Sequence, residues 1–266
     1  MENEKIKTFL KNLPEKNSYG EKIRLVAATK TLNAQTIDEA FSLGIKEIGE
    51  NKVQEFLQKR GSYPPATLHF IGHLQTNKAK YLVGEVSLIQ SVDSLALCEK
   101  IDALAKKADL TQDILIQINA GREPQKFGFL NEEAIPAAEY ITKHLKNVCL
   151  KGIMAVFPSL DATRADDSRD SFGENGFSKA ENARAEEEAE RLKKYKEQTY
   201  SLCLQTRELY DIINVKHITN EPLEVFSAGM SHDYEIALDA GSNMIRIGEA
   251  LFGKRVYPAK SAETDR

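Results

Sequence analysis

The sequence has no apolar run long enough to cross a bilayer as a helix, and its first residues, MENEKIKTFLKNLP, lack the apolar core of a secretory signal. A cytoplasmic location is the default expectation. Cysteine is scarce: Cys98, Cys149 and Cys203 are scattered without CxxC spacing, so neither a disulfide framework nor a zinc site is expected. Basic charge is not in excess, 36 Lys+Arg against 40 Asp+Glu giving a net charge of −4, and nothing draws the chain as a whole to nucleic acid or an anionic membrane. Lys78 and Lys80 beside Tyr81 are too sparse a basic patch to alter that. No HExxH pattern surrounds His69 and His73, which are four apart but span a strand end and a loop rather than one helix face; no metal is expected.

What is present is an ordinary globular balance, 41% apolar and 29% charged residues, which argues against wholesale disorder. Short β-branched runs alternate with stretches of helical period, the pattern of repeated βα units on a parallel sheet. Eight runs are readable: 23–30, 46–51, 67–72, 87–92, 113–119, 150–156, 224–229 and 243–248. Helices are expected at 33–43, 52–60, 75–83, 94–108, 131–145 and 232–240, with Asp93 or Ser94 capping the fourth, and an additional helix at about 3–20 precedes the first strand. Eight such repeats in about 250 residues predict an α/β fold of the (β/α)8, TIM-type barrel class in a single domain over 1–266. The connection after the sixth strand breaks the rhythm. Its first part, about 159–178, is charged and rich in Ser, Asp and Gly, and reads as a surface loop inserted before a long helix that packs through Leu192, Tyr195, Leu202 and Leu209.

A closed barrel carries its active site at the C-terminal ends of its strands, often with a phosphate site after strands seven and eight. Here those loops read 226-FSAGMSHDYEIAL-238 and 246-RIGEALFG-253. Ser227, Gly229 and Ser231 offer hydroxyls and an approachable backbone, a helix starting near His232 would aim N–H groups at the same point, and Gly248 permits a second close approach. Lys30 ends the first apolar run, VAATK. A strand end reaching solvent is the plain explanation. In a closed barrel, however, strand one pairs with strand eight, which puts Lys30 roughly 5–10 Å from the phosphate cradle, about the reach of pyridoxal phosphate from phosphate to aldehyde. A partly desolvated lysine there is suited to a Schiff base. Arg246 would then stand near the ring nitrogen and keep it unprotonated; a salt bridge to Glu249 or Asp239 is the alternative.

Taken together, VAATKT (26–31), IGENKVQE (48–55), HFIGHLQTNK (69–78), ILIQIN (114–119), GIMAVFP (152–158) and SAGMSHDYEIALDAGSNMIRIGEALFG (227–253) resemble the motifs of the pyridoxal-phosphate homeostasis protein family, single-domain relatives of the alanine racemase barrel. The resemblance covers about 23–158 and 215–257. It implies a fold-type III barrel carrying pyridoxal 5'-phosphate as an aldimine on Lys30, with phosphate contacts from Ser227, Gly229, Ser231, Gly248 and Glu249, the last through main chain. It also implies Arg246 facing the pyridine nitrogen, and Asn51 and Met154 lining the cofactor. The chain departs from the family pattern at Glu249, where members commonly carry a small hydroxyl residue, and in the long connection at 159–178.

The family likeness implies a carrier that binds, buffers and hands over the cofactor, with an indirect effect on amino-acid and keto-acid balance, rather than turnover of its own. The alternatives are a pyridoxal-phosphate-dependent amino-acid racemase, which needs a second base opposite Lys30, and a Schiff-base aldolase on a phosphorylated sugar. In alanine racemases, as the resemblance implies, that base is a tyrosine from a C-terminal β-domain of the partner subunit, and with 13 residues after Gly253 no such domain is expected here. A monomer is expected, with a dimer as the alternative, and with transient contact to pyridoxal-phosphate-dependent apoenzymes.

Overall fold

Strand pairing in unbroken sequence order is what closes the sheet. A computed structural model describes residues 2–158 and 177–253, and in it β1 (Arg24–Ala28), β2 (Glu47–Glu50), β3 (Thr67–Phe70), β4 (Leu88–Val92), β5 (Gln112–Ile118), β6 (Val148–Ala155), β7 (Val225–Ser227) and β8 (Met244–Ile247) form one closed barrel. β8 returns to β1 in parallel register, Val26 opposite Arg246 and Ala27 opposite Ile247. All eight expected strands are present, most of them trimmed at their ends, while β5 and β6 begin one and two residues earlier than expected.

Alternation along each strand sorts side chains between two compartments. Val26, Leu88, Leu115, Met154, Val225 and Met244 meet inside the barrel and plug it. Residues of opposite parity, such as Ala27, Ile48, Phe70, Ile116, Ile153, Phe226 and Ile245, pack under the helices in two larger apolar clusters. Burying one such side chain completely contributes about 1.5–3 kcal/mol, so it is these outer clusters that hold helices to sheet. Gly152 lets β6 run hard against β7: a Cβ there would lie 1.8 Å from the Val225 carbonyl oxygen.

The helices are α1 (Glu2–Asn12), α2 (Ala34–Ser42), α3 (Val53–Lys59), α4 (Leu95–Lys107), α5 (Asn131–His144), α6 (Phe177–Val215), α7 (Tyr234–Asp239) and α8 (Glu249–Phe252). Ser94 is the cap of α4, its hydroxyl accepting the Leu97 N–H at 3.3 Å. Three expectations need correction. The first helix stops at Asn12 rather than near 20, because Pro14 disfavours helical backbone at Leu13. The chain then turns about Asn17, whose amide donates to Gly241 O and Ser242 O beneath β8. The segment expected as a helix at 75–83 is a 3-10 helix, Thr76–Tyr81. α7 begins at Tyr234, two residues later than expected, for a reason given below.

The long helix begins at Phe177, so only the last two residues of the expected 159–178 loop are described and they are helical; the rest of that loop lies outside the described residues. Tyr195 is buried, Leu202 and Leu209 pack half-buried on the core, and Leu192 is exposed, so of these four expected contacts three are made. Arg207 pins α6 to the barrel base by a paired contact with Glu21 at 2.7–2.8 Å and a further bond to Gly241 O. No helix among the described residues is long and apolar enough to cross a membrane.

Candidate functional site

Lys30 follows β1 by two residues and continues the inward alternation of Val26 and Ala28, which places it half-buried at the C-terminal mouth of the barrel. Its turn is gripped from outside. The Thr29 hydroxyl donates to Glu50 Oε1 at 2.8 Å, and Lys59 Nζ from α3 donates both to that oxygen at 2.8 Å and to the Thr29 carbonyl at 2.9 Å. Glu50 is fully buried and the Lys59 side chain is only 13% exposed. Tyr63 lies close enough to this carboxylate that burial and the Glu50 charge together push its phenol well above the ordinary range.

Directly after Lys30, Thr31 has φ 68°, a left-handed conformation that a β-branched residue rarely adopts, and Glu55 Oε2 holds it there by accepting its N–H at 2.9 Å. Strain of this kind costs about 1–3 kcal/mol and concentrates at functional sites. Asparagine tolerates that region, so Thr31→Asn is expected to raise the urea unfolding free energy by about 1 kcal/mol. A lower value would mean that the threonine is not strained.

The turns after β7 and β8 meet at the same mouth. Gly229 has φ +97°, and a Cβ on it would stand 2.8 Å from Ala237 Cβ and Tyr234 Cα, so this turn packs on α7 only as glycine. Asp233 is buried and its Oδ1 takes the Met230 N–H at 2.5 Å, which closes the turn on itself and delays α7 to Tyr234. The Ser231 hydroxyl accepts the Ala250 N–H at 3.2 Å and so ties this turn to the start of α8. The Glu249 carboxylate points to His232 Nε2 at 3.7 Å, which leaves its backbone N–H as the group an anion could use. A Cβ on Gly248 would meet nothing nearer than Ala28 Cβ at 3.5 Å, so a small open space lies between this turn and the end of β1.

Arg246, 5% exposed, donates through Nη1 to Ser227 Oγ at 2.7 Å and through Nη2 to the Ala155 carbonyl at 2.8 Å. Burial pushes the guanidinium down to about 10, with the Asp233 carboxylate opposing that shift. It pairs with neither Glu249 nor Asp239 among the described residues. The Ser227 hydroxyl is fully buried and committed to Arg246 and Gln90, a different environment from a phosphate cradle. Met154 belongs to the apolar plug, which forms the floor of the mouth. Asn51 follows β2, and its Oδ1 is buried with no hydrogen-bond partner. Gly72 makes that placement tight, since a Cβ there would lie 2.0 Å from the Asn51 carbonyl oxygen.

A lysine, an orphaned amide oxygen, a buried guanidinium and two approachable turns thus share one end of a closed barrel. Among the described residues no group of three or more His, Cys, Asp or Glu is placed to hold a metal. A family described as alanine racemase, N-terminal domain, matches over residues 9–256. A pyridoxal phosphate homeostasis protein of Aquifex aeolicus is 36% identical over 236 residues, 88% of each chain, and one of Synechocystis is 32% identical over 240 residues, 88% of this chain and 92% of the relative. The chain belongs to the pyridoxal phosphate homeostasis protein family. Among solved structures, PipY of Synechococcus elongatus superposes with a TM-score of 0.74 without pyridoxal phosphate and 0.71 with it bound, at 26% and 25% identity, over 95% of this chain and 100% of PipY.

Sequence reading had placed Lys30, Asn51, Gly229, Ser231, Arg246, Gly248 and Glu249 at this end of the barrel, where they stand. It missed Glu50 and Lys59 behind the lysine turn, and His69 and Gln90 inside the barrel. For His69 and Gln90 the signal was a polar residue set among apolar neighbours in a strand, as in TLHF and LIQSV.

Proposed function

We propose that this chain binds pyridoxal 5'-phosphate covalently through Lys30 and acts in intracellular pyridoxal-phosphate homeostasis as a carrier of the cofactor. The observation that carries the reading is the buried, unpartnered Asn51 Oδ1 at the same mouth as Lys30, a polar atom whose desolvation is left uncompensated until a ligand supplies a partner. Family membership and the pyridoxal phosphate reported for PipY agree with it.

When bound, the cofactor supplies an electrophilic aldehyde on an electron-accepting ring. In this reading Lys30 would meet the aldehyde, the main-chain N–H groups of Gly229, Ser231, Gly248 and Glu249 and the Ser231 hydroxyl would hold the phosphate, Asn51 and Met154 would line the ring, and Arg246 would face its nitrogen. Ser227 acts by holding Arg246. A guanidinium scarcely gives up its proton, so the facing nitrogen stays unprotonated and the ring is a weaker electron sink than it would be beside a carboxylate. That suits holding the cofactor more than turning over substrate. Hand-over implies transient contact with apoenzymes, in the cytoplasm, by a single-domain protein that is a monomer.

The test is borohydride reduction of protein incubated with pyridoxal phosphate, followed by peptide mass mapping. One adduct, on Lys30, is expected; an adduct confined to another lysine, or none, would sink the assignment. Gly248→Ala provides a second check. Its methyl would enter the open space over Ala28, so cofactor affinity is expected to fall by about tenfold while unfolding free energy stays within about 0.5 kcal/mol. Fluorescence titration and urea unfolding read the two quantities.

One observation favours the racemase alternative. At the same end of the barrel His73 Nδ1 lies 3.0 Å from Asp93 Oδ2, an orientation suited to a general base, and its ring stacks on Phe127 at 3.5 Å. Exchange of the α-proton of alanine, serine or glutamate into deuterated water, abolished by His73→Gln, would establish that reading over the carrier.

A further inference from the structure

A line of polar side chains crosses the barrel interior, from the guanidinium at the mouth to an ion pair at the opposite end. Arg246 Nη1 donates to Ser227 Oγ, and the Ser227 hydroxyl donates to Gln90 Oε1, each at 2.7 Å. Gln90 Nε2 meets His69 Nδ1 at 2.8 Å. His69 Nε2 lies 3.2 Å from Glu47 Oε2. Arg24 grips that carboxylate through Nε and Nη2 at 2.9 Å each. Ser227, Gln90 and His69 are wholly buried. Burial pushes the Glu47 carboxyl up, but His69 and Arg24 outweigh it and hold the group below the ordinary carboxylate range.

The direction of donation along this line follows from the orientation of the Gln90 amide, whose Nε2 faces His69 Nδ1 and Met244 Sδ. A guanidinium and an amide NH2 group can only donate, so the Ser227 proton is directed to Gln90 Oε1, and His69 Nδ1 must accept. The neutral imidazole therefore carries its proton on Nε2, facing Glu47. Reversing one member would set two donors against each other in a compartment where an unpaired polar group is costly.

We propose that Gln90 and His69 are positioning residues that, through Ser227, lock Arg246 with its remaining N–H groups aimed at an acceptor nitrogen held at the mouth. The inference rests on the pyridoxal-phosphate reading of that mouth. Arg246 has few partners, Ser227, the Ala155 carbonyl and the nearby Asp233 charge, so losing the order imposed from below frees the guanidinium to turn.

Two measurements test it. In ligand-free wild type, long-range proton–nitrogen NMR should show His69 unprotonated at Nδ1 and protonated at Nε2; the opposite tautomer overturns the proposal. In cofactor-loaded protein, Gln90→Met, similar in volume but unable to bond either neighbour, should move the pH midpoint of the visible absorption band by about one unit and weaken cofactor binding about tenfold. Ser227→Ala cuts the line one step nearer Arg246 and should give the same shift, which covers the case of a Gln90 variant that does not fold. A purely structural role would lower the unfolding midpoint and leave the band and its titration as in wild type, and that result in either folded variant at equal loading overturns the proposal. Absence of a Lys30 adduct in wild type would instead defeat the reading of the site on which this rests.

Discussion

Lys30→Ala is expected to abolish the borohydride-stable adduct completely while changing unfolding free energy by no more than about 1 kcal/mol. The side chain is half-buried at the mouth, and the turn that carries it is held through neighbouring atoms: the Thr29 carbonyl and hydroxyl, and the Thr31 N–H. Those bonds survive removal of the amine. Phosphate recognition by the turns after β7 and β8 also survives, so the variant should still bind pyridoxal phosphate, reversibly and removable by dialysis. Lys30→Arg separates charge from chemistry, because a guanidinium keeps the positive charge but supplies no neutral nucleophile at ordinary pH. It too should form no adduct. A reduced adduct at undiminished yield in either variant would show that another amine is the attachment point. Lys59, the other lysine against this turn, is already bonded to Glu50 and Thr29.

The largest loss of stability is expected from Lys59→Met, about 3–5 kcal/mol, because it leaves the fully buried Glu50 carboxylate without its counter-ion. Glu50 Oε2 already has no hydrogen-bond partner, so the carboxylate has little in reserve. The same substitution leaves the Thr29 carbonyl with the Leu32 N–H as its remaining donor, so Lys30 should also be presented less firmly and label more slowly with pyridoxal phosphate. Replacing both partners, Lys59→Met with Glu50→Gln, takes away the stranded charge and should recover most of the stability, but not the labelling rate, since the Thr29 carbonyl still lacks the Lys59 ammonium. Urea unfolding and stopped-flow absorption separate the two effects. A single variant as stable as wild type would show that the pair is not buried in solution.

Much of the barrel was legible because its strands advertise themselves. IRLVAA, DILIQI and KGIMAV are apolar on both faces, as a parallel strand covered on one side by helices and on the other by the barrel plug must be. Misreadings fell where a local feature overrode the period: Pro14 ended α1 early, and the Asp233 carboxylate closed the turn on Met230 and delayed α7. The candidate site was legible as far as it depends on strand ends. Lys30, Asn51, Arg246 and Gly248 each sit at or just after the C-terminal end of a strand, and closure brings such positions together whatever their separation along the chain.

Side-chain partnership was not legible. Ser227 reads in the sequence as a phosphate ligand, since SAGMS is a small, hydroxyl-bearing turn; the structure points its hydroxyl inward to Gln90, 137 positions away. Glu50 and Lys59 read as ordinary charges on a strand and a helix, and only the packing of α3 over β2 makes them a buried pair behind Lys30. The sequence by itself determined the periodicity, the order of strands and helices, and which residues end strands, because these follow from the local spacing of apolar groups. Tertiary structure alone decided which of those residues face each other and with what hydrogen-bond direction. Those contacts join strands through the barrel interior and across its shear, and no local pattern carries that geometry.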